Sequence, residues 1–421
     1  MKVQMIESLR KYANPFHSID DLDPLIEAIG DAKYVLLGES SHGTSEFYTI
    51  RAELTKRLIQ EKGFSFIAVE GDWPACQSIN RYIKGFSPSN KDVREVLEDF
   101  NRWPTWMWAN QEIIGLIEWL KEFNIKTNRS EKVGFYGLDV YSLWESLDEI
   151  VGFLTKINSP ELEAAKKAFA CFEPHNRNNE SYAVSAGYLS EDCMKEALHL
   201  LSTIQKNKWR FEDDQESSLN MEVNALVTAH AEEYYRTMVK SDDESWNIRD
   251  RHMVDALNSI SKFYGKDAKV IIWEHNTHVG DARATDMKDE GMVNVGQLVR
   301  EQNCEDMVFI VGFGTFTGSV IASTEWGANL EVMDVPPAQP GSWEYFMHQA
   351  GAMNQYLIFN DQNRKEFSST VGHRAIGVVY HPEYEHFGNY VPSNMGKRYD
   401  GFIFVDRTNA LHPLLLEHVS I

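Results

Sequence analysis

The sequence predicts an α/β protein with a three-layer α/β/α core, a mostly parallel central sheet and a large helical insertion capping the strand carboxyl ends. Short, unbroken apolar runs alternate with helical patterns, which is typical of parallel strands buried on both faces. Several of these runs end in ionisable residues. A central stretch of roughly a hundred residues has helical periodicity but no strand-like run, far beyond the usual loop length.

The composition is that of an ordinary soluble globular protein, with 43% hydrophobic and 25% charged residues. Its 421 residues are enough for one large elaborated domain or two ordinary ones. We expect no transmembrane helix, because no long, continuous apolar run occurs. The amino terminus lacks the apolar core of a signal peptide, so a cytoplasmic location is expected.

The net charge of −22 is expected to repel nucleic acid and anionic membranes. The four cysteines form neither a CxxC pair nor a zinc-ribbon pattern. In an intracellular chain of this size, we expect them to be reduced thiols. They are Cys76, Cys171, Cys193 and Cys304.

The first predicted strand, 34–37, leads into a polar turn and then into an amphipathic helix. Arg51 lies within the apolar stripe of that helix. Because a guanidinium is almost never fully buried without a partner, Arg51 is expected to meet Glu39 and His42 where the strand ends.

Six further apolar runs are predicted strands: 64–69, 132–138, 269–273, 307–311, 374–380 and 399–405. The glycine-rich segment 312–318 is expected to be a turn, and 332–340 a proline-broken loop. The glycine segment matches no nucleotide-binding motif. We interpret a tryptophan cluster as aromatic core, with the wall of an apolar ligand pocket as the alternative. Its members are Trp103, Trp106, Trp108 and Trp119.

These patterns divide the chain into three segments. Residues 1–143 form the first part of the α/β core, 144–265 the helical insertion, and 266–421 the second part of the core. Five of the predicted strands end in ionisable residues. Parallel strands place their carboxyl ends on one edge, so we expect one shared cleft. The residues concerned are Glu39 and His42, Glu70 and Asp72, Asp139, Glu274 with His275 and His278, and Asp406.

Three kinds of enzyme fit these residue types. In metal-free hydrolysis, a histidine is the general base on water and Glu39 or Glu70 orients it. Arg51, with His275 or His278, would then stabilise the developing oxyanion.

In a zinc site, the His-x-x-His pair at 275–278 and His42 would be ligands, although Arg51 would repel a dication. In covalent catalysis, Ser40 or Ser41 would be the nucleophile, but there is no G-x-S-x-G elbow. A binding protein using the same cleft is the non-enzymatic alternative.

Several motifs together resemble the erythromycin esterase family, in order along nearly the whole chain. They are LLGESSHGTSEFYTIR, VEGDWP, NIRDRHM, WEHNTHVGDAR, GFGTF, RAIGVVY and YDGFIFVD. The resemblance implies a metal-independent hydrolase that opens a macrolide lactone ring, with His42 activating water. Other active-site positions implied by the same motifs are Glu39, Arg51, Glu70, Arg249, Asp250, His275 and His278.

The resulting hypothesis is a cytoplasmic hydrolase of an ester or lactone that needs no cofactor or metal. Its only expected partner is the small-molecule substrate, and a monomer and a small homo-oligomer both remain open. The expected catalytic residues are His42, Glu39, Glu70 and His275. The expected substrate-binding residues are Arg51, His278, Asp72, Arg249, Asp250 and Glu274.

Overall fold

The computed structural model describes residues 2–88, 91–127, 132–207, 216–414 and 419–420. The strands are β1 Asn14–Pro15, β2 Tyr34–Leu37, β3 Phe66–Asp72, β4 Gly134–Asp139, β5 Val270–Trp273, β6 Val308–Ala322, β7 Leu330–Val335, β8 Gln355–Ile358, β9 Thr370–Arg374, β10 Tyr390–Asn394, β11 Gly401–Thr408 and β12 Val419–Ser420.

The first helices are α1 Lys2–Tyr12, α2 Asp23–Ile29, α3 Ser45–Lys62, α4 Trp73–Lys84, α5 Val93–Leu97 and α6 Gln111–Lys126. The helices of the central segment are α7 Leu143–Lys156, α8 Leu162–Phe172, α9 Asn179–Val184, α10 Met194–Gln205, α11 Ser217–Met238 and α12 Asp242–Tyr264. The remaining helices are α13 Asn276–Val279, α14 Val295–Gln302, α15 Trp343–Ala350, α16 Glu385–Gly388 and α17 Met395–Arg398.

The central sheet has the strand order β1-β8-β11-β6-β2-β5-β3-β4. Neighbours from β11 to β4 are parallel, whereas β8 and β1 add an antiparallel edge. The mostly parallel sheet predicted from the sequence is therefore confirmed. The strand β2, which precedes the polar turn, lies in the middle of the parallel part.

Successive side chains of each strand pack on opposite faces of the sheet, as the pleat requires. Val35 and Leu37 of β2 belong to the core under α3, α4 and α6. Leu36 belongs to the core on the other face, which α1, α11, α12 and α15 cover. Strands buried on both faces need unbroken apolar runs, and this is the pattern from which the three layers were predicted.

Between β4 and β5 the described residues form helices and no strand. Helices α7 to α11 have a hydrophobic core of their own. The helix α12, however, packs on the sheet through Val254, Leu257 and Ile260. Its amino-terminal half reaches the carboxyl edge of the strands, where it and α7 line a cavity. The helical cap is thus confirmed, while the division into segments at 144 and 265 stays a prediction.

Three of the expected local structures are wrong in whole or in part. The glycine-rich segment 312–318 is not a turn, because β6 runs straight through it to Ala322. The strand pairs with β11 along residues 311–318 and then with β7 from Gly318 to Ala322. The antiparallel partner β7 also occupies part of the expected loop 332–340. Two adjacent strands thus supply the backbone partners that a turn would lack.

The run 374–380 is also not a strand of the sheet. The strand β9 ends at Arg374 and pairs with β10 in a separate two-stranded sheet. Beyond it, Ile376 and Val379 form only isolated bridges, to Ser41 and Ser323. Ile376 and Tyr380 of this run are buried in a small core against β6 and β7. An apolar run cannot distinguish this burial from that of a strand.

The expectation of four reduced thiols is wrong as well. Cys171 and Cys193 form a disulfide between the end of α8 and the residue preceding α10. Cys76 is free and buried, and Cys304 is free and exposed. The helical packing brings together two cysteines whose sequence spacing gave no sign of pairing. Among the described residues, none of the helices is long and apolar enough to cross a membrane.

Candidate active site

A cavity of about 650 Å³ lies at the carboxyl ends of the parallel strands. The ends of β2, β3, β4 and β5 all contribute polar side chains to it, which is where open α/β sheets bind ligands. These side chains are His42, Glu70, Asp72, Asp139, His275 and His278, and α12 adds Arg249. The structure therefore brings four of the five predicted polar strand ends together.

Asp406 does not join them, and its expected place in the cleft is wrong. The strand β11 continues through Asp406 to Thr408, and the carboxylate accepts a hydrogen bond from Nδ1 of His348 at 2.7 Å. Because β6 separates β11 from β2, this strand end does not line the cavity.

His42 is the last of three side chains that are hydrogen-bonded in series. Its Nδ1 lies 2.8 Å from Oε1 of Glu39, and the other oxygen of Glu39 accepts a hydrogen bond from Arg51. The Arg51 guanidinium stacks on Tyr48 at 4.8 Å and on Trp273 at 4.6 Å. These contacts explain how a fully buried arginine fits the apolar face of α3.

Arg51 lies behind Glu39 and does not line the cavity. This position differs from the expected contact with substrate. Arg51 lies on the apolar face of α3, which packs against the sheet. The Arg51 side chain therefore contacts Glu39 from the side of the core. Arg51 thus holds Glu39, which in turn holds His42.

Glu70 lies on the opposite side of His42, with Oε1 3.8 Å from the imidazole Nε2. Its carboxylate accepts hydrogen bonds from the backbone N–H of His275 at 2.9 Å and from Nη2 of Arg249 at 2.8 Å. Burial by itself raises the pKa of Glu70, but the interactions with His278, His42 and Arg249 and the hydrogen bond from the His275 backbone lower it far more. Glu70 is therefore a carboxylate.

The pKa of His42 is raised above its ordinary value. Burial opposes this shift, but the charge of Glu70 and the hydrogen bond to Glu39 outweigh it. The two glutamates thus favour the protonated imidazole on which a general base depends.

Arg249 links three of the predicted site residues. Besides Glu70, it donates to Asp139 from Nε at 2.9 Å and from Nη2 at 2.7 Å. Its Nη1 donates to Nε2 of His278 at 3.0 Å. Burial raises the pKa of Asp139, and the charge of Arg249 reverses that shift and lowers it.

His278 is fixed in one tautomer by these contacts. Its Nδ1 lies 2.9 Å from Asp250, and Trp246 stacks on the ring at 4.4 Å. Since Nε2 accepts from Arg249, Nδ1 bears the hydrogen and donates it to Asp250. Asp250 is fully buried outside the cavity, so it orients His278 and does not occupy the expected substrate-binding position.

His275 has the opposite tautomer. Its Nδ1 accepts from the backbone N–H of Thr277 at 3.3 Å, so Nε2 bears the hydrogen. Among the described residues, Nε2 makes no hydrogen bond of normal geometry, and a weaker interaction of the ring with the Ser40 backbone acts to raise its pKa. The ring lines the cavity, with its centroid 5.0 Å from that of His42. Burial, followed by the charge of His42, lowers the pKa of His275 well below its ordinary value and keeps the ring neutral.

Glu274 is fully buried outside the cavity, although substrate binding was expected of it. Within the described part of the chain, neither of its carboxylate oxygens has a hydrogen-bond partner. Burial, together with the charges of Glu70 and Asp250, raises its pKa well above the usual range. Glu274 directly follows the last residue of β5, and its side chain is buried away from the cavity.

Asp72 lines the cavity as expected, but it is paired with Arg102, which sequence reasoning missed. Arg102 donates to both carboxylate oxygens, at 2.7 and 2.8 Å. The ring of Tyr141 lies 5.0 Å from the Arg102 guanidinium and 4.9 Å from that of Arg249. Arg102 belongs to a loop that follows no strand, so no sequence signal placed it here.

The tryptophan cluster contributes both to the aromatic core and to the wall of the cavity, and Trp108 does both. Trp106 and Trp108 are buried in the core, and Trp108 also lines the cavity.

Neither Ser40 nor Ser41 lines the cavity, and the hydroxyl of Ser41 forms a hydrogen bond with that of Thr44. Covalent catalysis by either serine is therefore not favoured.

Across the described ranges, no group of three or more His, Cys, Asp or Glu side chains is arranged to hold a metal ion. The chemistry of the donors gives a reason. Glu70, Asp139 and His278 already surround the guanidinium of Arg249, which occupies the place of a cation. Metal independence itself stays a prediction.

The model of the erythromycin esterase family matches residues 59–408. This range begins after the turn that contains Glu39 and His42. The chain is 23% identical over 389 residues to erythromycin esterase type II of Escherichia coli, covering 83% of this chain and 86% of that protein.

Two solved structures are similar in fold. One is described as a succinoglycan biosynthesis protein and matches with a TM-score of 0.80 and 22% identity over 98% of both chains. The other is a mutant of the erythromycin esterase EreC in an open conformation, with a TM-score of 0.66 and 14% identity over 96% of both chains. At these identities the two structures show the fold alone.

Proposed function

Because this chain belongs to the erythromycin esterase family, we propose that it is a metal-independent hydrolase that cleaves an ester or lactone by attack of water. The observation that supports this most directly is the Arg51–Glu39–His42 chain, which ends in the cavity beside Glu70. Such a chain fixes the imidazole tautomer and stabilises its protonated form.

In this proposal Nε2 of His42 takes a proton from water while the water oxygen bonds to the carbonyl carbon. The carbonyl electrons move to oxygen and give a tetrahedral oxyanion. When it collapses, the bond to the leaving alkoxide breaks and His42 returns the proton to that alkoxide. The products are an acid and an alcohol, or one hydroxy acid from a lactone. Glu39 and Glu70 stabilise the imidazolium between these two proton transfers.

We assign stabilisation of the oxyanion to Nε2–H of His275. It is a neutral donor close to His42 that makes no hydrogen bond of normal geometry within the described structure, and buried donors normally make one. Arg249, His278 and Asp72 line the same cavity and are proposed to bind the substrate. Arg51 and Asp250 are proposed to position Glu39 and His278, and Glu274 is assigned no contact with the substrate.

Replacing His42 by Ala tests the assignment. A positioned general base contributes about 10²–10⁴-fold, so kcat should fall by that factor while the fold is retained. The measurement is a hydrolysis screen with macrolides, simple lactones and chromogenic esters, with circular dichroism as a check of folding.

A matched control is His412→Ala. His412 is also paired with a glutamate, Glu112, but it is exposed and does not line the cavity. Full turnover in a folded His42→Ala protein would exclude His42 as the base. No turnover by the natural chain, together with ligand-dependent thermal stabilisation, would instead favour a binding protein.

Metal independence has its own test. After dialysis against a chelator, kcat should be unchanged, and elemental analysis should find less than one zinc per chain. Either stoichiometric zinc or a loss of activity that zinc restores would favour the metal-dependent alternative.

A further inference from the structure

We propose that Asn276 is a positioning residue that sets the distance between the two catalytic loops, the Glu39–His42 turn and the His275–His278 turn. Asn276 is fully buried and does not line the cavity, so it acts only through the residues it holds. This role rests on the proposed function, because it matters for catalysis only if His42 and His275 act on one substrate.

Asn276 connects the ends of three strands. Its side-chain Nδ2 donates to the carbonyl oxygen of Phe313 at 2.6 Å, and the N–H of Phe313 donates to its Oδ1 at 3.2 Å. Its own backbone N–H donates to the carbonyl oxygen of Glu39 at 2.8 Å. A residue following β5 is thereby joined to β6 and to the first residue of the catalytic turn after β2.

Sheet topology explains why a side chain is needed here. The strands β5 and β6 both pair with β2 and lie on either side of it. Beyond the end of β2, the Asn276 amide takes the place of a strand and pairs with the backbone of β6. It passes directly over Gly38, where a Cβ atom would lie only 2.1 Å from Oδ1. A glycine at this position therefore permits the crossing.

A second layer fixes the orientation of the amide. Nε2 of His373 lies 3.3 Å from Nδ2 of Asn276, and its Nδ1 contacts Glu344 at 2.5 Å. With Nδ1–H donated to the carboxylate, Nε2 is the acceptor for the second amide hydrogen. All three side chains are buried, and Arg398 donates to the Asn276 carbonyl at 3.0 Å. Burial lowers the pKa of His373, which keeps it neutral and able to accept.

The consequence for catalysis follows from the separation of the two rings. The centroids of His42 and His275 are 5.0 Å apart, and the base and the oxyanion donor must meet one carbonyl group. A misplacement of about 1 Å can cost roughly 10²-fold in rate. Loss of the amide bridge should therefore lower kcat much more than it weakens substrate binding.

The test compares Asn276→Asp with a matched control, Asn124→Asp. Asn124 is also buried and braces a backbone in the same way, donating to Val133 at 2.9 Å and accepting from it at 2.8 Å. Val133 precedes β4, so this brace lies at the opposite edge of the sheet from the cavity. Aspartate keeps the size of each side chain but removes the donor.

We expect Asn276→Asp to lower kcat by about 10²-fold with KM changed by less than about 3-fold. It should also change the pKa of His42, measured by nuclear magnetic resonance of the ring nitrogens. Asn124→Asp should lower the melting temperature but leave kcat and the His42 pKa unchanged. If Asn276→Asp does not fold, His373→Phe removes one contact of the same amide and should lower kcat in the same direction.

Two results would overturn the inference. One is a folded Asn276→Asp protein whose kcat and His42 pKa equal those of the natural chain. The other is an equal loss of kcat in both asparagine variants, which would indicate general destabilisation. If the natural chain hydrolyses no ester, the proposed function fails, and the His42 titration alone then decides whether Asn276 positions that ring.

Discussion

At the scale of single residues, the site is a set of buried charges arranged around two histidines in different states. His42 is flanked by carboxylates that favour its protonated form, while burial keeps His275 neutral. Groups whose environments push their pKa values apart are typical of acid–base catalysis. This difference supports the separate roles proposed for the two rings.

The pH dependence of kcat/KM should show this arrangement. A general base acts only when neutral, so activity should be lost as the pH falls through a His42 pKa above the ordinary 6.5. Replacing Glu70 by Gln removes the charge that favours the imidazolium, so the acid limb of the profile should move to lower pH. The measurement is kcat/KM from pH 5 to 9 for both proteins.

A control for this experiment is Glu145→Gln. Glu145 also lines the cavity but is not among the groups that shift the His42 pKa, so its variant should keep the acid limb in place. An acid limb below pH 6.5 in the natural chain would contradict the proposed state of His42.

Glu274 has a consequence for stability. Its pKa in the folded chain is raised well above 4.5, so above that pH the unfolded chain gives up this proton more readily than the folded chain. The unfolded state is therefore favoured increasingly as the pH rises above about 4.5, by up to about 1.4 kcal/mol per pH unit until the folded-state pKa is reached. Glutamine cannot ionise, so Glu274→Gln should be more stable than the natural chain at pH 7–8.

The measurement for Glu274 is urea unfolding at pH 4, 6 and 8. The gain in the free energy of unfolding should shrink towards pH 4, where both states are protonated. Glu305→Gln, at an exposed position, should give no such trend. Equal stabilities of Glu274→Gln and the natural chain at all three values would exclude a neutral Glu274.

At the scale of elements, α12 belongs both to the helical segment and to the sheet layers. Its apolar residues pack on the sheet, and Arg249 near its start reaches Glu70 and Asp139 at two neighbouring strand ends. The sequence motif predicted that this helix contacts the cleft. It could not predict that Arg249 contacts Glu70 and Asp139, since these lie more than a hundred residues away in the sequence and their position depends on strand order.

The disulfide in the helical segment is a second feature of this scale. Cys171 and Cys193 are 22 residues apart, and closing a loop of this size stabilises a protein by about 3 kcal/mol. The double variant Cys171→Ser/Cys193→Ser should lose about that much free energy of unfolding in urea. Its kcat should be unchanged, because neither residue lines the cavity.

Cys304→Ser serves as the control, since Cys304 is exposed and unpaired. Alkylation of the unfolded, unreduced chain followed by mass spectrometry should modify Cys76 and Cys304 alone. Modification of all four cysteines before reduction would show that the pair is not joined in the purified protein.

At the scale of the whole molecule, the parallel sheet determines where the site lies. Residues from 42 to 278 meet at one edge because all the strands concerned run in the same direction. The net charge of −22 is also a property of the whole molecule. That it prevents binding to nucleic acid stays a prediction.

The sequence by itself determined the layer architecture and the edge of the sheet on which the candidate site lies. Both follow from local patterns: apolar runs of strand length and polar residues directly after them. Only the tertiary structure decided the side-chain partners. It showed that Arg51 contacts Glu39 from the core side, that Arg249 donates to three side chains, and that Asn276 after β5 is hydrogen-bonded to β6. These contacts depend on strand order and on helix packing across the sheet, which periodicity along a single chain does not encode.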